Sequence, residues 1–166
     1  MLSESGCLVC QLLFLLILAN GMPIIMKRVF LDRGDWPVDA GWILPLDGRP
    51  LFGKSKTWRG ILSSLLGTGL GALVLGGSFE VGFFIGLWAM MGDLFSSYIK
   101  RRLAFPPSSM ALGLDQIPES IFPLWAIRSE WGLTLGSILG LVFAFVVLEL
   151  CLSRWLHKLH IRDQPY

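Results

Sequence analysis

The stretch DGRPLFGKSKTWRG, residues 47–60, decides how the chain is to be read. Gly48, Gly53, Lys54 and Ser55 fit G-x-x-x-x-G-K-[ST], the pattern of a phosphate-cradling P-loop. Such a loop needs a strand before it, a helix after it and a parallel sheet around it. Only residues 27–60 separate the apolar runs on either side. That is too little chain for a doubly wound domain built from βαβ units of about 30 residues each. As a fold signal the match is accidental. Its chemistry stays relevant, because a glycine-rich loop carrying Lys54, Lys56 and Arg59 is suited to holding phosphates.

The surroundings of the loop explain why no sheet is expected. Of 166 residues, 54% are hydrophobic and 16% charged, against the roughly 25% charged of a soluble domain. Nineteen glycines and seven tryptophans add to a membrane signature, since both are favoured in or beside bilayers. Apolar runs place helices at about 7–26, 61–79, 81–99, 114–127 and 132–152, with loops at about 27–60 and 100–113. The first run has no basic residue before it and no small-x-small site after it, so it reads as a retained helix rather than a signal peptide. The segment 114–127 is the weakest, containing Asp115, Pro118, Glu119 and Pro123.

Charge placement settles that segment in favour of spanning. With five crossings, every one of the 14 Lys and Arg except Arg128 falls on one side. With four, Arg154, Lys158 and Arg162 land opposite the rest. The positive-inside rule therefore predicts an all-α, polytopic integral membrane protein of about five transmembrane helices and one domain over 1–166. Its amino terminus faces out, its carboxyl terminus lies in the cytoplasm, and a polar cavity opens on the cytoplasmic side of the inner membrane. Glycines four apart (Gly67 and Gly71; Gly82 and Gly86; Gly132, Gly136 and Gly140) read as helix-packing positions.

Asp93 and Asp115 stand at predicted helix ends on the basic side. Ser96, Ser97, Lys100 and Arg101 follow Asp93 at three, four, seven and eight residues, on one helical face. An ionisable group at membrane depth costs about 2.5–3.5 kcal/mol, so two aspartates beside basic clusters point to a metal-assisted phosphate site. A hard, oxygen-seeking Mg²⁺ suits one or two carboxylates plus substrate phosphates. Cys7 and Cys10 open an apolar run and read as small embedded side chains, not a redox pair. His157 and His160 sit in an interfacial amphipathic tail and are not read as metal ligands.

At these residues the chain resembles the CDP-archaeol synthase family, membrane cytidylyltransferases related to the CDP-diacylglycerol synthases. The likeness is carried by ANGMP (19–23), LPLDGRPLFGKSKTWRG (44–60), GDLFSSYIKRR (92–102) and LDQ (114–116). The resemblance implies transfer of a cytidylyl group from CTP to a lipid phosphate, with Mg²⁺, giving a CDP-lipid and pyrophosphate. It implies that Lys54, Lys56, Thr57, Arg59 and Gln116 surround nucleotide phosphates, and that Asp93 and Asp115 hold the metal. Lys100, Arg101 and Arg102 would contact triphosphate or lipid phosphate, while Asn20 and Pro23 match the motif at the first helix end and would contact lipid. Lys56, Arg59, Lys100 and the two aspartates form its implied catalytic set. After LDQ the chain departs from the family pattern, which carries a further Asp three residues beyond the first, where this chain has Pro118 and then Glu119.

The implied partners are CTP, the lipid phosphate and membrane lipids; nothing points to nucleic acid, and a homo-oligomer stays open. Asp47-Gly48 lacks the following Ala-Arg and Asp-x-x-x-Asp of CDP-alcohol phosphatidyltransferases, which excludes that class. A non-enzymatic transporter or scaffold binding anionic lipids predicts the same one-sided basic residues. It does not predict Asp93 and Asp115 among them.

Overall fold

A computed structural model describes residues 2–30, 34–106, 109 and 111–158. His160 and Arg162 of the basic tail, the side chain of His157, and Arg33 lie outside the described residues. Each expected segment forms one helix: α1 (Leu2–Phe30), α2 (Trp58–Val74), α3 (Phe79–Arg102), α4 (Gln116–Ala126) and α5 (Leu135–Lys158). Among the described residues there is no strand, only two isolated bridges in the first loop, Pro37 with Thr57 and Ile43 with Pro50. The segment resembling a P-loop has no sheet to sit on.

Local chemistry sets the helix ends. Thr57 caps α2, its Oγ1 accepting from the Gly60 N–H at 3.2 Å. Gly76, at φ +79°, breaks the chain after α2, and Ser78 caps α3. The expected boundary at 79 therefore moves back to Val74, because Gly76-Gly77-Ser78 is a stop followed by a start. The last helix likewise begins three residues later than expected, since Gly132 sits at φ +60° in a turn and Thr134 Oγ1 accepts from the Ser137 N–H.

Three helices are long and apolar enough to cross a membrane: Cys7–Phe30, Phe79–Arg102 and Leu135–Trp155. At ~1.5 Å per residue, the 17 residues of α2 reach about 25 Å and the 11 of α4 about 16 Å, against a core of about 30 Å. Apolar side chains such as Phe14, Leu66, Trp88, Leu139 and Phe143 point outward and exposed. Outward apolar surface on every long helix is what lipid, not water, stabilises.

The bundle is divided along its length. One half is a dry core of Leu12, Leu15 and Leu16 from α1, Ile85 from α3, Leu124 from α4, and Ile138, Leu141 and Phe145 from α5. The other half holds buried Ser64, Ser96, Ser97, Lys100, Arg101, Gln116 and Glu119. Glycines permit the close helix approaches at three seams. A Cβ on Gly67 or Gly71 would strike Met22 or Leu18 of α1, and one on Gly82 would lie 2.2 Å from the Thr68 carbonyl oxygen of α2. One on Gly92 would lie 2.2 Å from the Pro118 carbonyl oxygen of α4. The expected glycine seam on α5 is not among them: Gly140 meets nothing within 4 Å, and Gly136 only its neighbour Thr134.

Candidate active site

The loop between α1 and α2 is folded by one buried carboxylate. Asp39 accepts hydrogen bonds from the backbone N–H groups of Gly41 (3.0 Å), Phe52 (2.9 Å) and Gly53 (2.9 Å). Burial works against its charge, but these N–H groups outweigh it and hold the carboxyl below its ordinary value. Gly53 takes φ +92° at this clamp, a conformation that favours glycine.

A reciprocal clasp ties the loop to the end of α3. Arg49 donates to the carbonyls of Arg101 (3.3 Å) and Arg102 (2.8 Å) in the last turn of the helix. Arg102 returns the contact, donating to the Pro50 carbonyl (2.5 Å) and pairing with Asp47 (2.6 Å), with its guanidinium over Tyr98. Arg102 is thus spent on holding the loop and does not line the cleft described next.

That clasp presents Lys54–Gly60 to α3, and between them opens a cleft of about 580 Å³ including its mouth. Its cations are Lys27 from the end of α1, Lys54, Lys56 and Arg59; its carboxylates are Asp35 and Asp93. Pro23, Ile61, Met90 and Leu94 add apolar wall. Lys56 Nζ lies 2.5 Å from Asp93 Oδ1, and Arg59 Nη2 lies 2.5 Å from Asp35 Oδ1. Burial alone would depress the Lys56 ammonium; the charge of Asp93 first, then those of Glu119 and Asp115, reverse this and raise it. Lys56 is firmly a cation.

Beside the cleft, Lys100 Nζ pairs with Asp115 Oδ1 at 2.6 Å and donates to the Ser109 carbonyl at 3.0 Å. The other Asp115 oxygen accepts from the Ala111 N–H at 2.9 Å. Gln116 is buried, its side-chain oxygen accepting from the Gly113 N–H. Both residues therefore organise the turn into α4. Arg101 is buried and donates to the Pro106 carbonyl at 3.0 Å, while its Nε and Nη1 have no hydrogen-bond partner among the described residues. Asn20 turns back on its own helix, donating to the Leu16 carbonyl, whereas Pro23 lines the cleft.

The structure thus gathers Pro23, Lys54, Lys56, Thr57, Arg59 and Asp93 in one cleft, with Lys100, Asp115 and Gln116 in a neighbouring knot. Lys27 and Asp35 join the cleft without having been singled out in the sequence. Glu119 does not line the cleft but lies buried against Asp93, in hydrogen-bond contact with it. It lies four residues after Asp115, one helical turn on, which is the only sequence signal that placed it near.

The carboxylates suit a hard cation. Asp93 and Glu119 are oxygen donors of the type Mg²⁺ prefers, and the lysine already drawn to them shows that the position attracts positive charge. No group of three or more His, Cys, Asp or Glu that could hold a metal by itself occurs among the described residues.

A family model described as CarS-like, CDP-archaeol synthase, matches residues 7–166. CDP-archaeol synthase of Pyrococcus furiosus is 43% identical over 59% of this chain and 60% of its own length. That of Pyrococcus abyssi is 30% identical over 89% of this chain and 90% of its own. The chain thus aligns with about three-fifths of the first relative and nearly all of the second. A solved structure described as "Structural insight into an intramembrane enzyme for archaeal membrane lipids biosynthesis" superposes with a TM-score of 0.71 at 30% identity, covering 86% of this chain and 90% of that one.

Proposed function

The chain belongs to the CarS-like CDP-archaeol synthase family, and from that premise we propose that it transfers the cytidylyl group of CTP to a lipid phosphate of archaeol type. The products are a CDP-lipid and pyrophosphate. The observation that carries this reading is the cleft itself. It sets Lys27, Lys54, Lys56 and Arg59 around Asp93, at helix ends whose outer surfaces face lipid. A scaffold for anionic lipids would gain nothing from carboxylates buried among its cations.

The chemistry needs no protein base. A lipid phosphate monoester is already an anionic nucleophile. One of its oxygens attacks the α-phosphorus of CTP in line; the bond to the bridging oxygen breaks, and pyrophosphate leaves with both electrons. Lys54, Lys56 and Arg59 hold the triphosphate by charge-assisted hydrogen bonds and offset the charge gathering on the leaving group. Lys100, Arg101 and Asp115 stand in the neighbouring knot, with the unpaired N–H groups of Arg101 buried inside it. The wall of Pro23, Ile61 and Leu94 faces the lipid's apolar part, so that a soluble nucleotide and a membrane lipid meet in register. Mg²⁺ at Asp93, when bound, would screen the phosphates and polarise the α-phosphoryl group.

In this reading the cleft faces the cytoplasm, the amino terminus lies outside, and all of 1–166 acts as one domain. The test is incubation of purified protein with CTP, Mg²⁺ and a panel of archaeol and diacylglycerol phosphates, following pyrophosphate and CDP-lipid. Turnover is expected to be greatest with the archaeol phosphate. No pyrophosphate with any lipid phosphate would overturn the reading.

A further inference from the structure

Gly92 and Asp93 are consecutive, and at Gly92 the backbones of α3 and α4 come close together. A Cβ on Gly92 would lie 2.2 Å from the Pro118 carbonyl oxygen, 2.5 Å from its carbon and 2.7 Å from the Glu119 nitrogen. All three are backbone atoms, which cannot swing aside as a side chain can. The absence of a side chain at 92 therefore fixes how close the Glu119 backbone comes to the residue after Gly92. Glu119 is 6% exposed, and its carboxyl meets that of Asp93. Two carboxyl groups in contact inside a protein must share a proton or have a cation between or beside them. Lys56 is the protein's own cation there, bound to Asp93 and within electrostatic reach of Glu119.

Asp115, the other acid expected to take part, is differently placed. One of its oxygens pairs with Lys100 at 2.6 Å and the other accepts from the Ala111 N–H, so both contacts tie it to the end of α3 and the turn into α4.

Resting on the cytidylyltransferase reading, we propose that Glu119 is the second carboxylate donor, with Asp93, for the divalent cation that accompanies CTP, and that the bare backbone of Gly92 positions it. Asp115 instead anchors Lys100. Two carboxylates and the nucleotide's phosphate oxygens make a donor set of the size Mg²⁺ takes in phosphoryl-transfer sites. Lys56, displaced from the pair by the incoming metal, is left beside Lys54 and Arg59, where a triphosphate needs it.

The test measures metal binding apart from turnover. Mn²⁺ is titrated into the full chain in nanodiscs, with CTP present and no lipid acceptor, and followed by electron paramagnetic resonance. Glu119→Gln should weaken Mn²⁺ binding tenfold or more, with an unchanged melting profile; Glu119→Asp, which keeps the charge, should weaken it less. Gly92→Ala, with both carboxylates intact, should also weaken it. Asp115→Asn should shift it less than threefold. Wild-type Mn²⁺ affinity in both Glu119 variants, or a larger loss in Asp115→Asn than in Glu119→Gln, overturns the inference and leaves the reaction standing. Failure of the unaltered protein to bind Mn²⁺ with CTP overturns both.

Discussion

Replacing Asp93 by Asn separates the two roles an acid at this depth can have. The change keeps the shape and removes one charge from a pair whose side chains are 18% and 21% exposed, Asp93 and Lys56 respectively. If the pair were only structural, stranding the lysine would cost about 3–5 kcal/mol of stability, the range for a buried pair broken on one side. Here Glu119 also stands beside Lys56 and can accept its charge, so the loss should fall below that range. The catalytic cost should be larger than the structural one. Loss of a metal carboxylate is expected to lower the rate about a thousandfold, equivalent to about 4 kcal/mol of transition-state stabilisation. The assay is CDP-lipid formation from labelled CTP per unit of folded protein, scored beside a thermal melt. A variant that melts much earlier but turns over almost normally in its folded fraction would refute the reasoning.

Ser129→Cys, with Cys7, Cys10 and Cys151 replaced, should react with a membrane-impermeant thiol reagent in intact cells, because Arg128 is the one basic residue set apart from the others; labelling only after lysis would reverse the orientation. Gly48→Ala should lower stability by about 1 kcal/mol, since Gly48 sits at φ +65° with open space around it, and should leave CTP affinity near normal; Lys56→Ala should abolish turnover. An equal loss of nucleotide binding in both would restore the P-loop reading. The Asp39 clamp has a definite pH signature. Its folded carboxyl titrates below the ordinary 3.8, so its contribution is complete above about pH 4 and is lost as pH falls through the lower, folded value. Limited proteolysis of the loop should therefore accelerate below pH 4, and Asp39→Asn should be cut at neutral pH as well.

The helices were legible because lipid imposes a simple rule. A long uncharged run has few stable forms in a bilayer other than a helix, and residues 7–26, 81–99 and 132–152 became α1, α3 and α5 with extra turns at one or both ends. The errors lie where hydropathy is silent. At 75–78 the apolar count continues, but the backbone of Gly76 and the hydroxyl of Ser78 end one helix and begin another. On α5 the spacing of Gly136 and Gly140 looks like a seam, yet spacing does not say which face meets a partner.

The site follows the same division. Lys54, Lys56, Thr57 and Arg59 are contiguous, so a motif could carry them, and Asp93 lies in a second motif that meets the first across the Lys56 pair. Arg102 belongs to a motif too, but its guanidinium is drawn away by Asp47 and the Pro50 carbonyl, 50 or more residues distant in sequence. Glu119 shows the converse. Read along the chain, Pro118-Glu119 is a lapse in a pattern of aspartates; read across the bundle, it is a carboxylate delivered to Asp93. What delivers it is the missing Cβ of Gly92, whose effect exists only once α4 is packed on α3. If Glu119 serves as the second carboxylate proposed above, the requirement is met by position in space, which a one-dimensional motif does not record.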